Sequence, residues 1–86
     1  MRLDKYLKVA RILKRREAAK ELALQGRIQV NERNAKPSTE VQIGDIIRVT
    51  FGTRIVTLKV LDIQKQVSKQ EAGLLFEILS EETIND

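Results

Sequence analysis

The apolar positions of this chain change their period along its length. At about 100° per residue, Leu3, Tyr6, Leu7 and Ala10 share one flank, while Arg2, Lys5, Lys8 and Arg11 fan over the other side together with Asp4. That spacing predicts a first helix over Leu3 to Ala10. Ile12 and Leu13 fall out of phase with the stripe, so the helix is expected to break near Arg11 and both side chains to plug the core from a turn. A second helix is expected from Arg15 or Arg16. Its apolar positions Ala18, Ala19, Leu22 and Ala23 lie in one sector, Glu17 sits in the first turn where the helix dipole favours an acid, and Gly26 follows as the residue after the C-cap.

From Gly26 onward the pattern alternates. Ile28 and Val30 flank Gln29 as a short strand, and Asn31 to Asn34 reads as a polar turn leading to a second short piece around Ala35 and Lys36, ended by Pro37. Val41 and Ile43 anchor a loop, and Gly44-Asp45 is a tight turn into the next strand, where Ile47, Val49 and Phe51 alternate with Arg48 and Thr50. Gly52-Thr53 fits a two-residue hairpin with glycine in the first central position, the type II′ arrangement, and Val56, Leu58 and Val60 return on the partner strand. Leu61 and Ile63 shift the phase by one, which suggests a bulge. Glu71 to Leu74 suits a helical turn and Leu75 to Ile78 a last strand, apolar enough in its run LLFEIL for an inner position, before Glu81, Glu82 and Asp86 form an acidic end. Helices followed by strands give an α+β fold.

Charge sharpens this picture. Residues 1 to 36 hold eleven of the sixteen basic residues against four acids, a local charge of +7, while the remaining fifty residues carry −3. A split this uneven points to one cationic face, for which a nucleic-acid backbone is the commonest anionic partner. Lys14, Arg15 and Arg16 stand where the second helix starts, so their side chains add to backbone N–H groups that already point outward. A basic triplet can be no more than a solvated run that aids solubility. Here, however, cations at a helix N-terminus oppose the dipole, a cost of a few tenths of a kcal/mol that an arriving phosphate would offset.

Other chemistry is poorly represented. The chain of 86 residues has no cysteine and no histidine, which removes disulfides, thiolates, imidazole bases and the commonest zinc ligands. No apolar run approaches membrane-spanning length, so a cytoplasmic, non-enzymatic binding protein is expected. Only Tyr6, Phe51 and Phe76 are aromatic, and Phe51 and Phe76 fit core positions, too few for a module that stacks unpaired bases. The second helix offers alanine and glutamate where a major-groove reader needs arginine, asparagine or glutamine, which favours folded RNA over DNA. A protein-interaction adaptor would need an exposed apolar patch, for which LLFEIL is the candidate.

The run RLDKYLKVARILKRREAAKELALQGRIQVN, with KPS at Lys36 to Ser38 and Gly44-Asp45 behind it, resembles the S-four RNA-binding domain over about residues 2 to 50. RLDKYLKVAR, the Lys14 to Arg16 turn, KPS and EAGLLFE at Glu71 to Glu77 extend the likeness to free-standing bacterial members, those of the heat-shock type and those of the RqcP type in ribosome quality control. Heat-shock members carry a long basic C-terminal extension, whereas this chain ends acidic, so the RqcP type is the nearer likeness. Arg15 departs from the Ser or Thr helix cap of many S-four domains. The resemblance implies an S-four-like domain with two helices packed on a small, mainly antiparallel, twisted sheet of four to five strands. One domain would span 1–86, with 2–50 as the RNA-binding core and 51–86 adding hairpin strand, helical turn, last strand and acidic tail.

For function, it implies a factor that binds the large ribosomal subunit carrying stranded peptidyl-tRNA, touches large-subunit rRNA and the tRNA, holds that tRNA in a P-site-like position, and supports alanine tailing by an RqcH-type partner. The alternative is heat-shock-type subunit recycling or a general rRNA or tRNA chaperone. Carried over by position, Arg2 and Arg16 lead the RNA contacts, with Arg11, Lys14 and Arg15 beside them, Lys5 and Lys8 adjoining and Lys36 at the edge. Asp4 is either an arginine-orienting partner or a surface acid of the first turn. Arg2 and Arg16 are expected to project from different ends of the helix pair, no cofactor is required, and the factor acts as a monomer. Arg16, outside the apolar stripe, is expected to matter to binding and little to melting.

Overall fold

The computed structural model describes residues 1–84 and contains two helices and a five-stranded antiparallel sheet. Helix α1 spans Leu3–Val9 and α2 Arg16–Leu24; the strands are β1 (Ile28–Val30), β2 (Arg33–Asn34), β3 (Ile46–Phe51), β4 (Arg54–Val60) and β5 (Phe76–Thr83), in the spatial order β2-β1-β3-β4-β5. The expected stripe of α1 is real: Leu3, Tyr6 and Leu7 are fully buried and Ala10 nearly so. They pack with Ala19 and Ala23 of α2 on the inward sheet residues Ile28, Ile47, Val49, Leu58 and Val60. Small residues on α2 let that helix approach closely.

Both helices end in the same hydrogen-bonded way. After α2, the N–H of Gly26 donates to the carbonyl of Ala23 and that of Arg27 to Leu22, with Gly26 at φ +75°, a Schellman motif at the expected glycine. After α1, Arg11 donates to Lys8 and Ile12 to Leu7, with Arg11 at φ +57°. The break near Arg11 thus has a backbone cause, and a non-glycine residue occupies the left-handed position. Ile12 and Leu13 lie half-buried against the core, as their phase predicted.

Four expectations for the sheet are corrected. The second short strand is Arg33–Asn34 and not Ala35–Lys36, because Asn31 (φ +52°) and Glu32 (φ +69°) both adopt the left-handed conformation and close a two-residue turn. The register irregularity lies between Thr57 and Leu58 of β4, whose β5 partners are Ser80 and Ile78, so the extra residue is Leu79 and not the Leu61–Ile63 stretch. Strand β5 is an edge strand, not an inner one: it pairs only with β4, and Ile78 and Leu79 are exposed while Leu75 just before it is buried. Glu81 and Glu82 belong to β5 and pair with Val56 and Ile55, so they form no tail; Asp86 lies outside the described residues. The β3–β4 turn at Gly52-Thr53 is as read, with Phe51 opposite Arg54 and Gly52 at φ +54°.

Two tethers set the position of α1. The N–H groups of Leu3 and Asp4 donate to the carbonyls of Thr39 (2.8 Å) and Pro37 (3.2 Å), and Arg2 bridges Glu40. At the other flank, the Tyr6 hydroxyl donates to the Leu75 carbonyl at 2.7 Å, which also accepts the N–H of Leu61 and Asp62. The chain between β4 and β5 is therefore pinned against α1. No helix among the described residues is long and apolar enough to cross a membrane.

Candidate nucleic-acid interface

The side chains of α1, the turn after it and the start of α2 line one broad open groove of about 1120 Å³. Lys5 and Lys8 enter from α1, Arg11 from its left-handed end, Lys14 and Arg15 from the turn, and Arg16 from the first residue of α2. Arg15 is the N-cap of α2 and makes no side-chain capping bond, so the first N–H groups of that helix lack a capping side chain. Six of the eight basic residues singled out from the sequence thus line one groove. Arg2 and Lys36 do not line it. Arg2 precedes α1, and Lys36 immediately precedes Pro37, the residue that receives the Asp4 N–H.

Asp4 is the pivot of this surface. The sequence placed it on the polar side, but it is fully buried. Lying only about 60° around the helix from Leu7, it stands at the border of the apolar stripe, where Arg16 at the start of α2 meets it. Its Oδ1 is 3.2 Å from Arg2 Nε and accepts the Lys5 N–H at 2.8 Å; its Oδ2 is 3.3 Å from the second terminal nitrogen of Arg2 and 3.2 Å from Arg16 Nε. The Arg16 Nε–H is not aimed squarely at that oxygen, so this contact is coulombic rather than a well-formed hydrogen bond.

Burial works to raise the Asp4 carboxyl; the Arg16 contact, the Lys5 N–H and the charges of Arg16 and Arg2 together outweigh it and hold the carboxyl below its ordinary range. One carboxylate thereby orients two guanidinium groups and leaves one positive charge in excess. Both arginine side chains stay partly exposed, 48% for Arg2 and 37% for Arg16, with terminal N–H groups able to reach an anion. The expectation that Arg2 and Arg16 project from different ends of the helix pair is therefore corrected: they meet at Asp4. Arg16, expected from the sequence to matter little to melting, also partners a buried charge, which ties it to stability as well as to binding.

The segment between β4 and β5 also lines the groove, through Lys65, Gln66, Val67, Ser68 and Glu71. The sequence reading left these residues out, since Lys65 is separated from the basic N-terminal region by two hairpins. Glu71 is engaged by the Ser68 hydroxyl at 2.8 Å.

The aromatic residues lie elsewhere. Tyr6 is fully buried, and Phe51 and Phe76 are half-buried at the rim of the core, lining a shallow groove of about 460 Å³ with Ile12 and Leu13. No group of three carboxylates close enough to hold a metal occurs among the described residues.

The S4 domain model matches residues 1–47. The RQC P-site tRNA stabilizing factor of Bacillus subtilis is 46% identical over 86 residues, the whole of both chains. The heat shock protein 15 homolog of Aeromonas salmonicida is 34% identical over 83 residues, 96% of this chain but 61% of that relative. Among solved structures, that of Vibrio cholerae heat shock protein 15, a trimer, superposes with a TM-score of 0.85 at 33% identity, over 93% of this chain and 82% of that one. With two helices set on an antiparallel sheet in the same fold and a relative matched end to end, this chain belongs to the S4 domain family, in the group of the RQC P-site tRNA stabilizing factors.

Proposed function

We propose that the protein is a non-enzymatic RNA clamp of bacterial ribosome quality control. It binds the large ribosomal subunit that carries stranded peptidyl-tRNA, touches rRNA and tRNA backbones, and stabilises the tRNA in a P-site-like position. In doing so it supports the addition of C-terminal alanines by an RqcH-type partner. It acts as a monomer in the cytoplasm. The observation that carries this reading is the pairing of a buried carboxylate, Asp4, with two half-exposed arginines beside a groove lined by six further cations. Guanidinium forks held at fixed positions suit phosphate oxygens, and the flanking lysines add charge without demanding a sequence.

Arg2, Arg11, Lys14, Arg15 and Arg16 are the principal contacts in this proposal, with Lys5 and Lys8 along the groove and Lys36 at the Arg2 edge. Contact with about four to six phosphates gives a log–log salt slope on the order of −3 to −5. The test is sedimentation of the protein with purified large subunits, with and without peptidyl-tRNA, together with alanine tailing of a stalled reporter in the presence of the partner. Preferential binding to tRNA-bearing subunits, and loss of both binding and tailing on joint replacement of Lys14 and Arg15 by alanine, is the expected result. Salt-independent binding would overturn the electrostatic basis. The similarity to heat shock protein 15 in fold favours subunit recycling as the second reading; binding that persists while tailing is unaffected by the protein would select it.

A further inference from the structure

We propose that the segment between β4 and β5 is the second wall of the RNA groove, with Lys65 as a phosphate ligand facing the basic turn. The inference rests on the RNA-clamp reading and extends it into the half of the chain that carries net negative charge. Lys65 lines the same groove as Lys8, Arg11 and Lys14, although more than fifty residues separate it from Arg11. It reaches that place by construction. The Tyr6 hydroxyl and the N–H groups of Leu61 and Asp62 converge on the Leu75 carbonyl, which closes the base of the segment onto α1. Within the segment, the Asp62 carboxylate accepts the Ile63 N–H at 2.8 Å and the Gln64 amide at 2.9 Å, and Ser68 caps the turn at Glu71. Several backbone and side-chain bonds therefore hold the loop that presents Lys65, which takes part in no ion pair among the described residues.

The arrangement has a consequence for what is bound. A single cationic wall attracts any polyanion, whereas cations on both sides of an open groove favour one sugar-phosphate strand running between them. Glu71 and Glu17 also line the groove, so negative charge is present as well, and Glu71 is occupied by the Ser68 hydroxyl.

The test is the full chain titrated against purified large ribosomal subunits over a range of salt. Lys65→Ala should weaken binding about threefold to tenfold and make the log–log salt slope less negative by about 0.7 to 0.9, the loss of one phosphate contact. Lys65→Glu should weaken it further. Lys59→Ala is the control of equal charge: Lys59 alternates with buried Leu58 and Val60, points to the other face of the sheet, and should leave both quantities unchanged. If Lys65→Ala behaves like Lys59→Ala while Arg15→Ala weakens binding, the second wall is refuted and the clamp reading survives. If Arg15→Ala also has no effect, the clamp reading itself fails.

Discussion

Two ion-paired regions of this protein use the same chemistry to opposite ends. At the start of α1, Asp4 is fully buried and holds two arginines that are each partly exposed. On the β4–β5 hairpin, Arg54 and Glu81 stand 3.6 Å apart with side chains 64% and 57% exposed. Water screens the second pair and leaves both partners free to move, so it fixes little. The first has one partner removed from water, which makes the carboxylate dependent on its arginines and gives the arginines a defined place. A charged surface becomes a positioned one when a counter-charge is anchored in the core beneath it.

Replacing core side chains is the largest way to test that contrast. Leu7→Ala, beneath the basic wall, should cost roughly 2 to 5 kcal/mol in chemical denaturation, whereas Ile78→Ala on the exposed edge strand should cost less than about 1 kcal/mol. Similar costs at the two positions would mean that β5 is covered in solution.

Next in size is the buried charge. Asp4→Asn should destabilise by roughly 1 to 3 kcal/mol, less than for a pair buried on both sides because each arginine can turn to water, and should lower RNA affinity by releasing Arg2 and Arg16. It also alters the pH profile. The folded Asp4 carboxyl lies below its ordinary 3.8, so its contribution is present above about that pH and is lost as pH falls through the folded value. Asp4→Asn should flatten this acid limb. At the other extreme, burial, with the Asp62 charge adding, raises the Tyr6 hydroxyl above its ordinary 10.0; stability is full below that pH and declines above it, a limb that Tyr6→Phe should remove.

A smaller effect has the opposite sign. Arg11→Gly relieves a left-handed backbone and should raise stability by up to about 1 kcal/mol while weakening RNA binding, since the side chain lines the groove. A gain in stability without a loss of binding would deny Arg11 a place in the contact. The smallest effect belongs to the exposed pair: Arg54→Ala should change stability by no more than about 0.5 kcal/mol and leave RNA affinity as it was.

Legibility from the sequence follows the range of the interactions concerned. The α1 stripe, the breaks at Arg11 and Gly26, the Gly52-Thr53 turn and the cluster of six cations all rest on residues within a few positions of one another, and all are present in the structure. The resemblance carried by RLDKYLKVAR and the Lys14 to Arg16 turn also led to the right family. Misread features depended on partners far along the chain or on a turn without its usual marker. LLFEIL is apolar enough for an inner strand, but nothing local says that only β4 would flank it. The Asn31-Glu32 turn lacks the glycine that usually marks two left-handed residues, so its strand was placed too late.

What the sequence by itself determined is the set of local elements and the sign of the face they carry, because helical period, turn residues and clustered charge act over one or two turns of chain. Only the tertiary structure decided that Asp4 is buried, that Arg2 and Arg16 converge on it, and that Lys65 lines the same groove as the basic turn. Those three facts require α2 to cover the flank of α1 and Tyr6 to reach Leu75, contacts between segments that the chain separates and only packing brings together.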